Sequence, residues 1–196
     1  MATARMTLFK PVYMDERVNL TPTEFRDAAA DMDGYLLKKI REQLEGRCCV
    51  HGYVYPGNTQ ILSRSMGQAE HGRFTADFIF YCKIRIYCFK PSANQRVDAR
   101  IFKMNKFGAY ALIVENGNTV EAMRIPIPRD LHLGNAEFDS LQVGDTIRVC
   151  ILCSRFQVND AFIQGVGLYE GKVDLGPVTA APVTPLRPDV AETEAA

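Results

Sequence analysis

The sequence predicts an α+β domain of antiparallel strands with short helices, followed by an all-β barrel of five strands and a disordered C-terminal tail. Three observations carry this. Apolar residues recur at helical spacing only ahead of Gly46. From Cys48 onward the period falls to two, and beyond Asn94 it breaks into five short runs. From Lys172 to Ala196 the chain is Pro, Ala, Val and Thr with scattered acids and no period. The expected domains are therefore residues 1–91, 94–171 and 172–196.

The elements follow in order. Residues 6–12 read as a strand. Leu20-Thr21-Pro22-Thr23-Glu24-Phe25 then signals a helix start: Thr21 caps, Pro22 takes the first position, Glu24 closes a capping box, and Leu20 with Phe25 forms the hydrophobic staple. A second helix is expected over 33–45, because Leu36, Leu37, Ile40 and Leu44 make one apolar stripe and Gly46 supplies a left-handed stop. Lys38, Lys39, Arg41 and Glu42 form its exposed face. Residues 48–55 read as a strand, Pro56-Gly57-Asn58 as a turn, and 59–65 as a strand again.

Over residues 73–89 the pattern alternates. Phe78, Phe80, Cys82, Ile84, Ile86 and Cys88 share the face expected to pack on the helices. Ile79, Tyr81, Lys83, Arg85, Tyr87 and Phe89 make a mixed aromatic and basic face suited to docking. Lys90-Pro91-Ser92-Ala93-Asn94 interrupts the pattern and marks the domain boundary. Residues 97–103, 108–114, 121–126, 146–154 and 161–169 then read as five strands. The longer insertion falls between the third and fourth, which suits a small Greek-key barrel of OB type.

Composition narrows the function. The chain has 196 residues, 47% of them hydrophobic, which is enough for a real core. Lysine plus arginine and aspartate plus glutamate stand at 23 each, so no global field gathers nucleic acid, and any such site must be a local patch. No signal-peptide pattern opens the chain, and no apolar run approaches the roughly 18–20 residues a membrane span needs. With its six cysteines the chain reads as an intracellular, reduced, soluble protein.

No catalytic, cofactor or metal site is expected. Cys150-Ile151-Leu152-Cys153 has C-x-x-C spacing, but within a strand positions three apart face opposite ways, and no helix start lowers a thiol pKa there. Cys48, Cys49, Cys82 and Cys88 lack zinc-knuckle spacing. All six are read as core cysteines. His51, His71 and His132 have no nucleophile and orienting acid nearby in sequence, and Gly165-x-Gly167 is a lone glycine pair without a lysine or a following helix.

The informative segment is Lys103-Met104-Asn105-Lys106-Phe107-Gly108-Ala109-Tyr110, the first hairpin of the barrel. A glycine between two aromatics lets Phe107 and Tyr110 share one surface for base stacking, while Lys103 and Lys106 meet phosphates and Arg124 on the next strand completes the platform. A second reading stands beside it: Phe107 is core and the lysines are merely solvated.

Residues 97–101, Lys106-Phe107-Gly108-Ala109-Tyr110 and Val143-Gly144-Asp145-Thr146-Ile147-Arg148-Val149 resemble the S1 RNA-binding domain, with its Phe-Gly-Ala-aromatic hairpin and late Val-Gly-Asp. The resemblance implies base stacking by Phe107 and Tyr110; Arg124 falls near a position where many S1 domains carry histidine. In the first half come a strand, helices ending in Leu44-Glu45-Gly46-Arg47-Cys48, then Gly52-Tyr53-Val54 and a long strand closing in Phe89-Lys90-Pro91. That order is similar to the RNA-binding stalk subunit of multisubunit DNA-dependent RNA polymerases, the family shared by archaea and eukaryotes and called subunit seven in the latter. Residues 61–65 and 155–160, the latter opening with Arg155, resemble versions encoded by large DNA viruses.

The resemblance covers about residues 7–170. It implies a non-catalytic subunit without cofactor, whose N-terminal tip domain docks on the polymerase core and whose S1 domain meets nascent single-stranded RNA at Lys103, Lys106, Phe107, Tyr110, Arg124 and Arg155. It further implies a small stalk partner subunit, no membrane, and work in the nucleus or a cytoplasmic viral factory, with packaging in the virion as a further option. The alternative is a free-standing S1-type factor of translation or RNA decay.

Overall fold

The computed structural model describes residues 8–69, 72 and 76–173. The first half is an antiparallel sheet backed by helices. Strand β1 (Lys10–Leu20) runs along the whole of β6 (Phe78–Phe89), with Lys10 opposite Cys88 and Leu20 opposite Phe78. The expected strand at 6–12 thus begins later and continues up to the helix cap, because no glycine or proline interrupts 13–19; residues 6 and 7 lie outside the described residues. Residues 73–75, assigned to the long strand, lie outside them too.

Thr21 caps α1 (Pro22–Asp27), with both halves of the capping box made: its hydroxyl accepts from the Glu24 amide, and its own amide donates to the Glu24 carboxylate at 2.8 Å. Such a cap stabilises the helix by about 1 kcal/mol. In α2 (Met32–Leu44) Leu36 and Ile40 are fully buried against Phe80, Cys82, Ile84 and Ile86 of β6. Gly46 follows with φ of +72°. The polar face of α2 is not simply solvated. Lys39 donates to Glu24 at 2.8 Å and to the Asn19 carbonyl at 2.8 Å, and Arg41 donates to the Thr59 carbonyl at 3.1 Å.

The expected strand over 48–55 is instead a tight hairpin, β2 (Cys48–Cys49) and β3 (Gly52–Val54), turning at Val50-His51. Strand β3 pairs with the end of β6, and β4 (Gln60–Arg64) and β5 (Gln68–Ala69) pair with its earlier parts. The sheet therefore has six strands, more than the sequence reading assigned.

The second half is a closed five-stranded barrel of β7 (Arg96–Asn105), β8 (Gly108–Glu115), β9 (Asn118–Pro128), β10 (Thr146–Arg155) and β11 (Ile163–Lys172). The order around the wall is β7, β8, β9, β11, β10, and only the β9–β11 pair is parallel. Between β9 and β10 lie a 3-10 turn (Arg129–His132) and α3 (Ala136–Asp139), which plugs the barrel with buried Phe138. Gly165 and Gly167 face this interior: a Cβ on Gly167 would stand 2.2 Å from Val149 Cγ1. That lone glycine pair is thus packing against the barrel core.

Two details depart from expectation. Strand β10 carries a bulge between Ile151 and Cys153, and an extra residue reverses the alternation. Half-buried Cys150 opposite Leu168 already faces outward between buried Val149 and Ile151, and the bulge turns exposed Cys153 opposite Val166 outward too, so neither is a core residue and they do not face opposite ways. Strand β11 reaches Lys172, and the Val173 amide donates to the Thr146 carbonyl at 3.0 Å, so the residues read as the start of the tail close the barrel. The rest of that tail lies outside the described residues.

The halves share a core. Phe9, Cys48, Tyr53 and Phe89 of the sheet join the barrel's interior cluster, and Phe9 packs edge-on against Tyr55 at 4.8 Å. Cys48 makes two backbone hydrogen bonds to the β10–β11 loop, donating to Asp160 and accepting from Asn159, each at 2.8 Å.

Candidate nucleic-acid interface

The β7–β8 turn is built to expose its aromatic residue. The Asn105 side-chain oxygen accepts from the amides of Phe107 and Gly108, each at 3.0 Å, which fixes the turn. Gly108 has φ of +148°, and a Cβ there would lie 2.1 Å from the Ile127 carbonyl oxygen, so only glycine lets β8 start this close to β9. Phe107 is left 69% exposed, which removes the reading of it as core. Lys106 holds its ammonium 5.2 Å from the Phe107 ring centroid.

Three residues after Phe107, Tyr110 pairs with Lys103 on β7 and with Pro126 on β9. A bulge between Ile101 and Lys103 leaves Phe102 and Lys103 both exposed while Ile101 stays inside. Phe102 then meets Tyr110 edge-on at 6.4 Å between ring centroids. Sequence reasoning missed Phe102, because strict alternation assigns it and Lys103 to opposite faces.

The next row of the wall runs through Leu112, Arg124, Gln164 and Arg155, on β8, β9, β11 and β10. Arg124 lies over the ring of Phe162 at 3.9 Å, a contact that holds the guanidinium flat against an aromatic face. Strand spacing separates the Arg124 and Arg155 backbones by about 10 Å, and Tyr110 is a diagonal neighbour of Arg124 at about 7–8 Å. All six residues singled out in the sequence therefore sit on adjoining outer positions or on the turn that ends them. Phe162 and Gln164 join them; Gln164 had no signal, and Phe162 only that of an aromatic at the start of an expected strand.

Charge pairing separates this stretch from the rest of the barrel. Arg96 pairs with Glu170 at 2.8 Å, Arg148 with Asp98 at 3.0 Å, Arg129 with Asp139 at 2.7 Å, and Lys172 with Asp145 at 2.8 Å. The Lys172 ammonium and the Gln142 amide hold the Asp145 carboxyl below its ordinary range. Among the described residues, Lys103, Lys106, Arg124 and Arg155 have no carboxylate in ion-pair reach. Exposed rings beside unpaired cations are what single-stranded nucleic acid requires: flat apolar surface for bases and positive charge for phosphates.

The histidines are occupied otherwise or lie elsewhere. His132 Nε2 accepts from the Tyr169 amide at 3.2 Å and its ring stacks on Phe138 at 4.7 Å, and burial lowers its pKa. His71 lies outside the described residues. Among the described residues no three His, Cys, Asp or Glu side chains are grouped to hold a metal ion, and no helix is long and apolar enough to cross a membrane. A scan against protein-family models gives no match to this chain, and a search of curated proteins gives none.

Proposed function

We propose that this chain is a non-catalytic stalk subunit of a DNA-dependent RNA polymerase, which docks on the polymerase core through its N-terminal half and holds nascent single-stranded RNA on its barrel. The RNA half of this reading is carried by one observation: exposed Phe107 stands with Lys103, Lys106, Tyr110, Arg124 and Arg155 on adjoining outer positions where no described acid neutralises a cation. The strand order, the parallel β9–β11 pair and the helical insertion before β10 support assigning the barrel to the OB type, in its S1 form.

The docking half rests on the resemblance of the strand, helix and long-strand order to the tip domain of polymerase stalks. It is supported by the outer face of β1 and β6, where Tyr13 and Tyr81 are exposed beside Lys83. Exposed aromatics in a mixed polar setting are typical of protein contact surfaces. A small partner subunit belongs to the same proposal, and the chain works wherever its polymerase does, in the nucleus or a viral factory.

Affinity purification of the tagged full chain from cells that produce it, followed by mass spectrometry, tests the assignment. Near-stoichiometric recovery of the two largest polymerase subunits is the expected result. Recovery of RNA, ribosomes or nuclease complexes without them would replace the stalk with the free-standing RNA-binding factor.

A further inference from the structure

An open cavity of about 620 Å³ lies between the start of β1, the β2–β3 hairpin and the linker that follows β6. Its volume falls within the roughly 300–1,000 Å³ of small-ligand sites. None of the residues singled out for RNA lines it, so it is a surface apart from the barrel face.

The cavity is positive around an apolar floor. Lys10, Lys90 and His51 line it, and no carboxylate side chain of the described residues does. Lys10 stands opposite Cys88 in the β1–β6 register, and Lys90 follows Cys88 by two residues. Strand geometry makes the two lysines diagonal neighbours, with backbones about 7–8 Å apart. Both are exposed, and among the described residues neither has an acid within ion-pair reach. Their mutual repulsion is therefore left uncompensated. Leu8, Val12 and Ala93 lie between the charged groups, and a low-dielectric wall beneath charges of one sign focuses their field on the space above it.

The linker side of the cavity is held in place. The Ser92 amide donates to the Gln95 side chain at 3.0 Å, and the Asn94 amide donates to the Ile151 carbonyl of β10 at 2.7 Å. The Gln95 carbonyl accepts from the Ile151 amide at 2.9 Å. Between these anchors Asn94 has φ of +62°, a left-handed conformation that the bonds on either side fix. Among the described residues no partner takes the Ser92 hydroxyl or the Asn94 side-chain amide, so both are available to a ligand.

We propose that this cavity binds a small polyphosphate anion of the pyrophosphate or tripolyphosphate class. Lys10 and Lys90 meet its phosphate oxygens, and His51, Ser92 and Asn94 donate hydrogen bonds around them. Two ammonium groups on separate strands call for an anion with charge on more than one centre, which linked phosphates supply and a lone carboxylate does not. A nucleobase lacks a platform here, because no Phe or Tyr ring lines the cavity.

Isothermal titration calorimetry of the full chain with tripolyphosphate at low salt tests the proposal. One ion should bind per chain, and the double variant Lys10→Gln, Lys90→Gln should bind it about tenfold or more weakly, having lost two charge-assisted contacts. Both changes keep a polar side chain at an exposed position, and an unchanged unfolding curve checks that the fold is intact. The double variant Lys103→Ala, Lys106→Ala should bind tripolyphosphate as the wild type does. No binding by the wild type, or equal affinity for the wild type and the Lys10 and Lys90 variant, would overturn the proposal. Loss of binding in the Lys103 and Lys106 variant would overturn it too, by placing the anion on the barrel face. Single-stranded RNA separates the two sources of phosphate: it should bind the wild type and the Lys10 and Lys90 variant equally. Displacement of tripolyphosphate by RNA, with weaker RNA binding by that variant, would make the cavity part of the RNA path instead.

Discussion

The two ends of the barrel wall carry the same kinds of residue and do opposite things with them. Where β7 and β10 begin and β11 ends, Arg96, Asp98, Arg148 and Glu170 neutralise one another across strands. Where β7 and β10 end and β8 and β11 begin, Lys103 and Arg155 meet no acid among the described residues, and the space is occupied by Phe102, Phe107 and Tyr110. A chain of zero formal charge thus holds a local cationic surface, because no acid of the described residues stands within ion-pair reach of these cations. Exposed ion pairs of the first kind contribute about 0–1 kcal/mol each to stability. Cations beside rings without an acid gain at most a cation–π contact of about 0.5–1 kcal/mol, and their placement makes sense as a site for a ligand.

The largest effect should come from reversing the unpaired charges. Lys103→Glu, Arg124→Glu and Arg155→Glu together should lower affinity for single-stranded RNA by about 100-fold or more, read by fluorescence anisotropy at low salt, since each change removes a phosphate contact and adds a repulsion. An unchanged affinity would move the site off this face. Next, Phe107→Ala and Tyr110→Ala should each weaken binding by about 1–3 kcal/mol, the scale of one base stacked on one ring. If Tyr110 contributes much less than Phe107, its edge contact with Phe102 is structural and Phe107 alone is the platform.

Lys103→Ala and Lys106→Ala should have a smaller effect of a different kind. Each should reduce the slope of log affinity against log salt by about 0.7, the value for one phosphate of a single strand. The smallest effect should lie at the opposite end: Arg96→Ala and Arg148→Ala should leave RNA affinity unchanged and shift unfolding by about 0–1 kcal/mol in a denaturant titration. A loss of RNA binding there would erase the distinction between the two ends.

Much of this was legible in sequence for local reasons. The capping box at Thr21 and Glu24, the stop at Gly46 and the five alternating runs of the barrel depend on residues a few positions apart, which pattern and propensity report directly. The bulges after Ile101 and Ile151 were not legible, because one inserted residue reverses the alternation without changing composition. They brought Lys103 onto the same side as Phe102 and moved Cys153 out of the core. The hairpin at Val50-His51 was hidden inside one apolar run. The ion pairs that single out the free cations join residues 50 and 74 positions apart, as in Arg148–Asp98 and Arg96–Glu170, and no local pattern encodes them.

Photo-crosslinking of the full chain to a single-stranded RNA carrying 4-thiouridine, with the attached peptides mapped by mass spectrometry, tests the central claim most directly. Attachment at Phe102, Phe107 and Tyr110, and in the segments holding Arg124 and Arg155, is the predicted result. Attachment confined to the paired end near Arg96 and Arg148, or to the N-terminal sheet, would contradict it.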